Sequence, residues 1–174
     1  MGERVSERVS RDRPAQVPRP PRVAVCGGSA PDGEDLRAAE AVGRAVAEAG
    51  AVLVCGGLGG AMAAACRGAA DAGGTTIGVL PGADPAAANP WVAIPLATGM
   101  GEARNALVVA FADAIVAIGG AWGTLSEVAL ARAMGRPVVL LRPGLTDGLP
   151  LALASGPAEA VDAALRALAA PAAS

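Results

Sequence analysis

Apolar positions along this chain follow two alternating patterns. Short, mostly apolar runs rich in β-branched residues occupy residues 23–26, 51–55, 75–80, 114–118 and 137–141. Between them, apolar residues recur at three- and four-residue spacing, as in Leu36, Ala39, Val42, Gly43 and Val46. The first pattern predicts buried strands and the second amphipathic helices. Helices are expected from the acidic start at Pro31 to Asp35 up to Gly50, and over residues 61–72, 102–112, 124–134 and 158–169. Acids in the first turn of the first helix suit its dipole. Residues 81–95 read as a long, ligand-facing loop, followed by a short strand over 92–96. Residues 145–150 read as loop.

Strands that are apolar on both faces and alternate with helices imply a parallel sheet covered on both sides. The expected fold is a single-domain α/β, Rossmann-like, doubly wound sheet over residues 23–174. Its ligands are expected beyond the carboxyl ends of the strands.

Two of those ends are glycine turns. Val52-Leu53-Val54 leads into Gly56-Gly57-Leu58-Gly59-Gly60, and Ile115 to Ile118 leads into Gly119-Gly120, Gly123-Thr124 and a helix carrying Glu127. Strand, glycine turn and helix N-terminus together aim backbone N–H groups at an anion, usually a phosphate. Glycines can also serve only tight turns and close packing. Two such turns in one small domain favour a phosphorylated, nucleotide-like small molecule as ligand.

Composition removes several chemistries. The chain has no His, Lys or Tyr, which excludes His-based triads, HExxH metal sites, Schiff-base lysines and the Walker lysine. No metal site is expected, and no NAD fingerprint follows the first strand. Cys26, Cys55 and Cys66 have no CxxC spacing and read as buried reduced thiols of a cytoplasmic protein. Residues 49–66 are uncharged and long enough for a membrane span, but their glycines would leave backbone groups unsatisfied in lipid, so no membrane segment is expected.

Residues 1–22 are Arg- and Pro-rich and carry a net charge of +3, against −5 for the remainder. They read as a disordered tail without the apolar core of a secretory signal. Interleaved acids make it a poor nucleic-acid partner.

The segments GGS (Gly27 to Ser29), CGGLGGAM (Cys55 to Met62), TGMGEARN (Thr98 to Asn105) and GGAWGTLSE (Gly119 to Glu127) resemble the Lonely-Guy superfamily, once labelled lysine decarboxylases. The resemblance extends over about residues 23–141. It implies one of two activities. The hydrolase branch cleaves the N-glycosidic bond of cytokinin riboside 5'-monophosphates, and by extension of AMP. A sister branch comprises molybdenum-cofactor carrier proteins, which bind a phosphorylated pterin. The hydrolases carry PGGxGTxxE and an Arg-Lys pair; here Ile118 replaces the Pro and Asn105 replaces the Lys. TGMGEARN is more similar to the carrier branch, so a carrier-like protein is the first expectation and the phosphoribohydrolase the alternative. No cofactor is required on either reading, and molybdenum cofactor would be a bound ligand. A homodimer is also implied, with helix faces around Val108 and Leu130 as a possible interface.

Arg104 and Glu127 match the family's catalytic pair. Glu127 is also spaced from Thr124 as in a capping box, which would make it structural. Arg104 could grip a phosphate bidentately or form a salt bridge with Glu102 or Asp113. Gly119, Gly120, Gly123 and Thr124 are expected to hold the phosphate, with Gly27, Gly28, Ser29, Gly56 and Gly57 completing the cleft. Trp122 would cover a ring or pack on a neighbouring subunit. Glu102 is a weaker ligand candidate.

Overall fold

A computed structural model describes residues 19–169. Seven strands, β1 (Arg22–Gly27), β2 (Val52–Cys55), β3 (Thr76–Leu80), β4 (Ile94–Ala97), β5 (Ala114–Ile118), β6 (Val138–Leu141) and β7 (Ala152–Leu153), form one sheet in the order β4-β3-β2-β1-β5-β6-β7. Every pairing is parallel. Four α-helices lie between strands, α1 (Gly33–Glu48), α2 (Ala61–Asp71), α3 (Asn105–Phe111) and α4 (Trp122–Ala133), and α5 (Pro157–Ala169) follows β7. This is the expected doubly wound α/β fold.

The side-chain alternation of the strands divides the core into two. Val23, Val25, Leu53, Val116, Ile118 and Leu141 face α1, α2 and α5. Their neighbours Ala24, Cys26, Val54, Ile115, Ala117 and Leu140 face α3 and α4. Burial on both faces is why the strands read as continuous apolar runs rather than alternating ones. Helices α1 and α2 cross with their backbones in contact. A Cβ on Gly43 would overlap the Ala65 carbonyl oxygen, and one on Gly68 the Glu40 carbonyl oxygen.

Several boundaries differ from expectation. Arg22 already belongs to β1, and Arg19 pairs with Asp113 at 2.7 Å, so residues before 23 take part in the fold. The rest of the expected tail, residues 1–18, lies outside the described residues. The expected helix over 102–112 is split into a 3-10 turn (Gly101–Arg104) and α3. Strand β7 is new, because two exposed residues leave no periodic signal. Val108 is fully buried in the core, and the partly buried Leu130 packs against it.

All three cysteines are buried and free, with Cys55 Sγ and Cys66 Sγ 3.4 Å apart. No helix among the described residues is long and apolar enough to cross a membrane.

Candidate functional site

β1 and β5 are hydrogen-bonded neighbours whose connections lead to opposite sides of the sheet, so their carboxyl ends part at a crevice. Such a switch point is where doubly wound sheets bind ligands. Gly27 pairs with Ile118, which brings the turns Gly27-Gly28-Ser29 and Gly119-Gly120 level.

Gly119 and Gly120 have φ of 52° and 99°, a left-handed backbone that favours glycine. A side chain at Gly120 would also strike Thr124 Oγ1. The turn delivers the chain into α4 at Trp122, two residues earlier than expected. Its N-cap is Ala121, which has no side-chain acceptor for the first amides. The helix therefore presents uncapped N–H groups and the positive end of its dipole to the crevice. Thr124 is the third helical residue rather than the cap, and Glu127 lies a turn further on. The capping box does not form.

Glu127 instead lines a cavity of 250 Å³ together with Arg104, Gly28, Ser29, Gly123 and Thr124. Gly27, Leu58, Met62 and Glu102 complete part of its wall. Arg104 and Glu127 are only 6% and 7% exposed. Burial pushes the Glu127 carboxyl up to about 7; the Cys26 thiol and then Arg104 pull it down less strongly, and Glu102 adds to the rise. The Cys26 thiol is itself raised by burial and by Glu127.

Arg104 reaches the cavity from the 3-10 turn. Its guanidinium lies over Gly56, where a Cβ would come within 2.7 Å of Nη2. Nη1 donates to Asn105 Oδ1, while Nε is buried without a partner. Asn105 Nδ2 donates to Ser126 Oγ at 3.2 Å, and Ser126 Oγ donates to the Gly123 carbonyl at 2.7 Å. Arg104 is thus tied to the first turn of α4, and not to Glu102 or Asp113. Asp113 is taken by Arg19 and Arg22, which hold its carboxyl well below the usual range.

A second, larger cleft of 630 Å³ lies across the same turns and shares Gly28, Ser29 and Ala121 with the first. Its other walls include Asp32, Asp35, Gly119, Gly120 and Arg142. Arg142 Nε donates to Asp35 Oδ1 at 2.7 Å and Nη2 to Asp32 Oδ2 at 3.1 Å, with Nη1 on Glu34. The Arg142 carbonyl accepts the Gly119 N–H at 2.5 Å. Its φ of 57° makes it the one non-glycine residue with positive φ among the described residues.

The expected site residues therefore divide. Arg104, Glu127, Gly27, Gly28, Ser29, Gly123 and Thr124 meet in the smaller cavity, and Gly119 and Gly120 line the larger. Gly56 and Gly57 line neither. Gly56 makes room for the Arg104 guanidinium, and Gly57 for Leu80 and Gly78. In their turn the Ala61 N–H, the first of α2, donates to the Gly28 carbonyl at 3.1 Å. The 81–95 loop does not face the cavities. Asn89 fastens it to the Gly57 and Leu58 carbonyls, and Trp91 lies 5.9 Å from the Arg67 guanidinium. Trp122, between the lining residues Ala121 and Gly123, is 75% exposed.

Asn105, Ser126, Asp32, Asp35 and Arg142 were not expected as site residues. Asn105 was visible only as a departure from the family pattern. Nothing local marks Arg142, since its partners lie 107 to 110 positions away.

Among known proteins, the model of the SLOG cluster4 family matches residues 20–164. A molybdenum cofactor binding protein from the phototrophic bacterium Rippkaea orientalis superposes with a TM-score of 0.83 at 35% identity, over 88% of this chain and 100% of that one. The molybdenum cofactor carrier protein of Chlamydomonas reinhardtii superposes with a TM-score of 0.79 at 36% identity, over 87% of this chain and 100% of that one. An uncharacterized protein of Archaeoglobus fulgidus is 41% identical over 122 residues, 70% of this chain and 80% of the relative.

Proposed function

Since the chain belongs to the SLOG cluster4 family, we propose that it is a binding protein for a phosphorylated, nucleotide-like small molecule, with molybdenum cofactor as the first candidate cargo. The observation that carries this reading is the buried Arg104, whose Nε lacks a partner in a cavity it shares with the uncapped start of α4. A phosphate there receives the amides around Gly123, the Thr124 hydroxyl and the guanidinium. Charge-assisted bonds of this kind offset the burial of both ions. The solved relatives named for binding or carrying molybdenum cofactor support the choice of cargo.

The test is the full chain purified without added ligand. Molybdenum by mass spectrometry and pterin by fluorescence after oxidation are expected in equal amounts, and both are lost in Arg104→Ala. Absence of both, together with no calorimetric binding of AMP, would overturn the reading.

The Glu127 proton favours a second reading, a phosphoribohydrolase. A carboxyl that titrates at about 7 can be a proton donor at neutral pH. In that reaction the N-glycosidic bond breaks, Glu127 protonates the departing base nitrogen, and water adds its hydroxyl to the sugar carbon while its other proton restores Glu127. Free adenine released from AMP by the wild type but not by Glu127→Gln would establish this activity. A homodimer and a cytoplasmic location accompany both readings. Exposed Phe111 and Met134, at the ends of α3 and α4, suit such an interface.

A further inference from the structure

The two compartments of the crevice differ in how their arginines are engaged. The smaller holds Arg104, with Nε unpartnered, and the start of α4, which attract an anion, beside Glu102 and Glu127. The larger is lined by Asp32, Asp35 and Arg142, and its arginine is already held by both of these carboxylates and by Glu34. A phosphate is therefore drawn to the free guanidinium edge of the smaller compartment rather than to the neutralised arginine of the larger.

Resting on the binding function proposed above, we propose that the 630 Å³ compartment seats the uncharged, N–H-rich end of the ligand, an aminopyrimidinone ring such as guanine or pterin, with Asp35 as acceptor. Asp35 gives Oδ1 to Arg142, while Oδ2 has no hydrogen-bond partner among the described residues and lies beside Gly119. A carboxylate has about four acceptor positions, so Asp35 retains capacity for donors. The ring N–H and exocyclic amine of an aminopyrimidinone form an adjacent donor pair that such a group accepts. Adenine places a bare ring nitrogen beside its amine and meets the carboxylate with a lone pair. Arg142 holds Asp35 in position, and its carbonyl fixes the Gly119 end of the turn that separates the compartments. Ser29 and Ala121 line both clefts, so one ligand can span them.

The test is calorimetric titration of the full chain with GMP, IMP, AMP and inorganic phosphate. GMP and IMP differ only by the exocyclic amine, and loss of one hydrogen bond to a charged group corresponds to about tenfold in affinity. The expected order is GMP tightest, IMP about tenfold weaker and AMP no better than IMP, with the GMP advantage abolished in Asp35→Asn. Phosphate affinity should be the same in wild type and Asp35→Asn. Equal binding of GMP, IMP and AMP by the wild type overturns this assignment while leaving the phosphate site intact. If phosphate and all three nucleotides fail to bind, the binding function falls and this assignment with it. The wild-type series decides the matter even if Asp35→Asn is unstable.

Discussion

Arg104 donates a hydrogen bond to the side chain of the residue that follows it, Asn105. Through Asn105 and Ser126 the guanidinium is registered against the first turn of α4. At the position where the Lonely-Guy hydrolases that the sequence resembles carry a Lys, Asn105 supplies a neutral acceptor to the Arg instead of a second cation. Asn105→Ala should weaken AMP binding by calorimetry by roughly tenfold, the effect of one lost bond to a charged group. Unchanged affinity would show that Arg104 needs no such support.

Glu127 makes stability depend on pH. Burial pushes its folded carboxyl up to about 7, against 4.5 for an ordinary Glu. The native state therefore holds a proton that the unfolded chain has released between those pH values. Stability falls as pH rises through that window, by about 3 kcal/mol in all at 1.36 kcal/mol per unit. Urea unfolding at pH 5 and pH 8 should show this loss in the wild type and a flatter response in Glu127→Gln. Matching slopes would place the carboxyl in the ordinary range.

Asp113 has the opposite sign. Arg19 first, then Arg22, depress its carboxyl, so its contribution is present above the ordinary Asp value of 3.8 and lost as pH falls below it. Asp113→Asn should melt lower at pH 7 but lose less than the wild type between pH 5 and pH 3. Since Arg19 is more than half exposed, the effect should be small and weaken with added salt.

The crossing of α1 and α2 has no room for a methyl group at residue 43. Gly43→Ala drives a Cβ into the backbone of Ala65, which cannot move aside as a flexible side chain could. A loss of about 3 kcal/mol in denaturant unfolding is expected, at the upper end of the usual overpacking range. Gly123→Ala, at a position open to solvent, serves as the tolerant comparison.

Trp122 is the first residue of α4, and Ala121 beside it lines both clefts. AMP or GMP should quench its emission, and the change should vanish in Trp122→Phe, which leaves Trp91 as the remaining tryptophan. An undiminished signal in that variant would assign the change to Trp91.

The fold was legible because burial on both sheet faces writes itself locally, as apolar runs at residues 23–26 and 114–118 that end in glycine. Arg104 and Glu127 were legible through the family resemblance carried by the short segments TGMGEARN and GGAWGTLSE. Long-range contacts were not. The GGLGG turn has the composition of an anion site, yet the Gly28 carbonyl takes the N–H of Ala61 from a turn more than 30 residues earlier. Thr124 and Glu127 have the spacing of a capping box, but Gly119 and Gly120 start the helix at Trp122. The Arg142 cluster depends on strand order, which joins the end of β6 to the start of α1.

That strand order has a further consequence. β1 to β4 lie on one side of the crevice and β5 to β7 on the other. Gly28, Ser29, Asp32 and Asp35 belong to the first half of the polypeptide; Arg104, Gly119, Glu127 and Arg142 belong to the second. Neither half contains the whole of the proposed site, and a ligand bound as proposed would occupy the seam between them. A chain cut in the exposed turn at Thr98 to Gly101 would yield two pieces, each with half of the recognition surface. Cargo would then act as glue, and reassembly of the two pieces would report its presence.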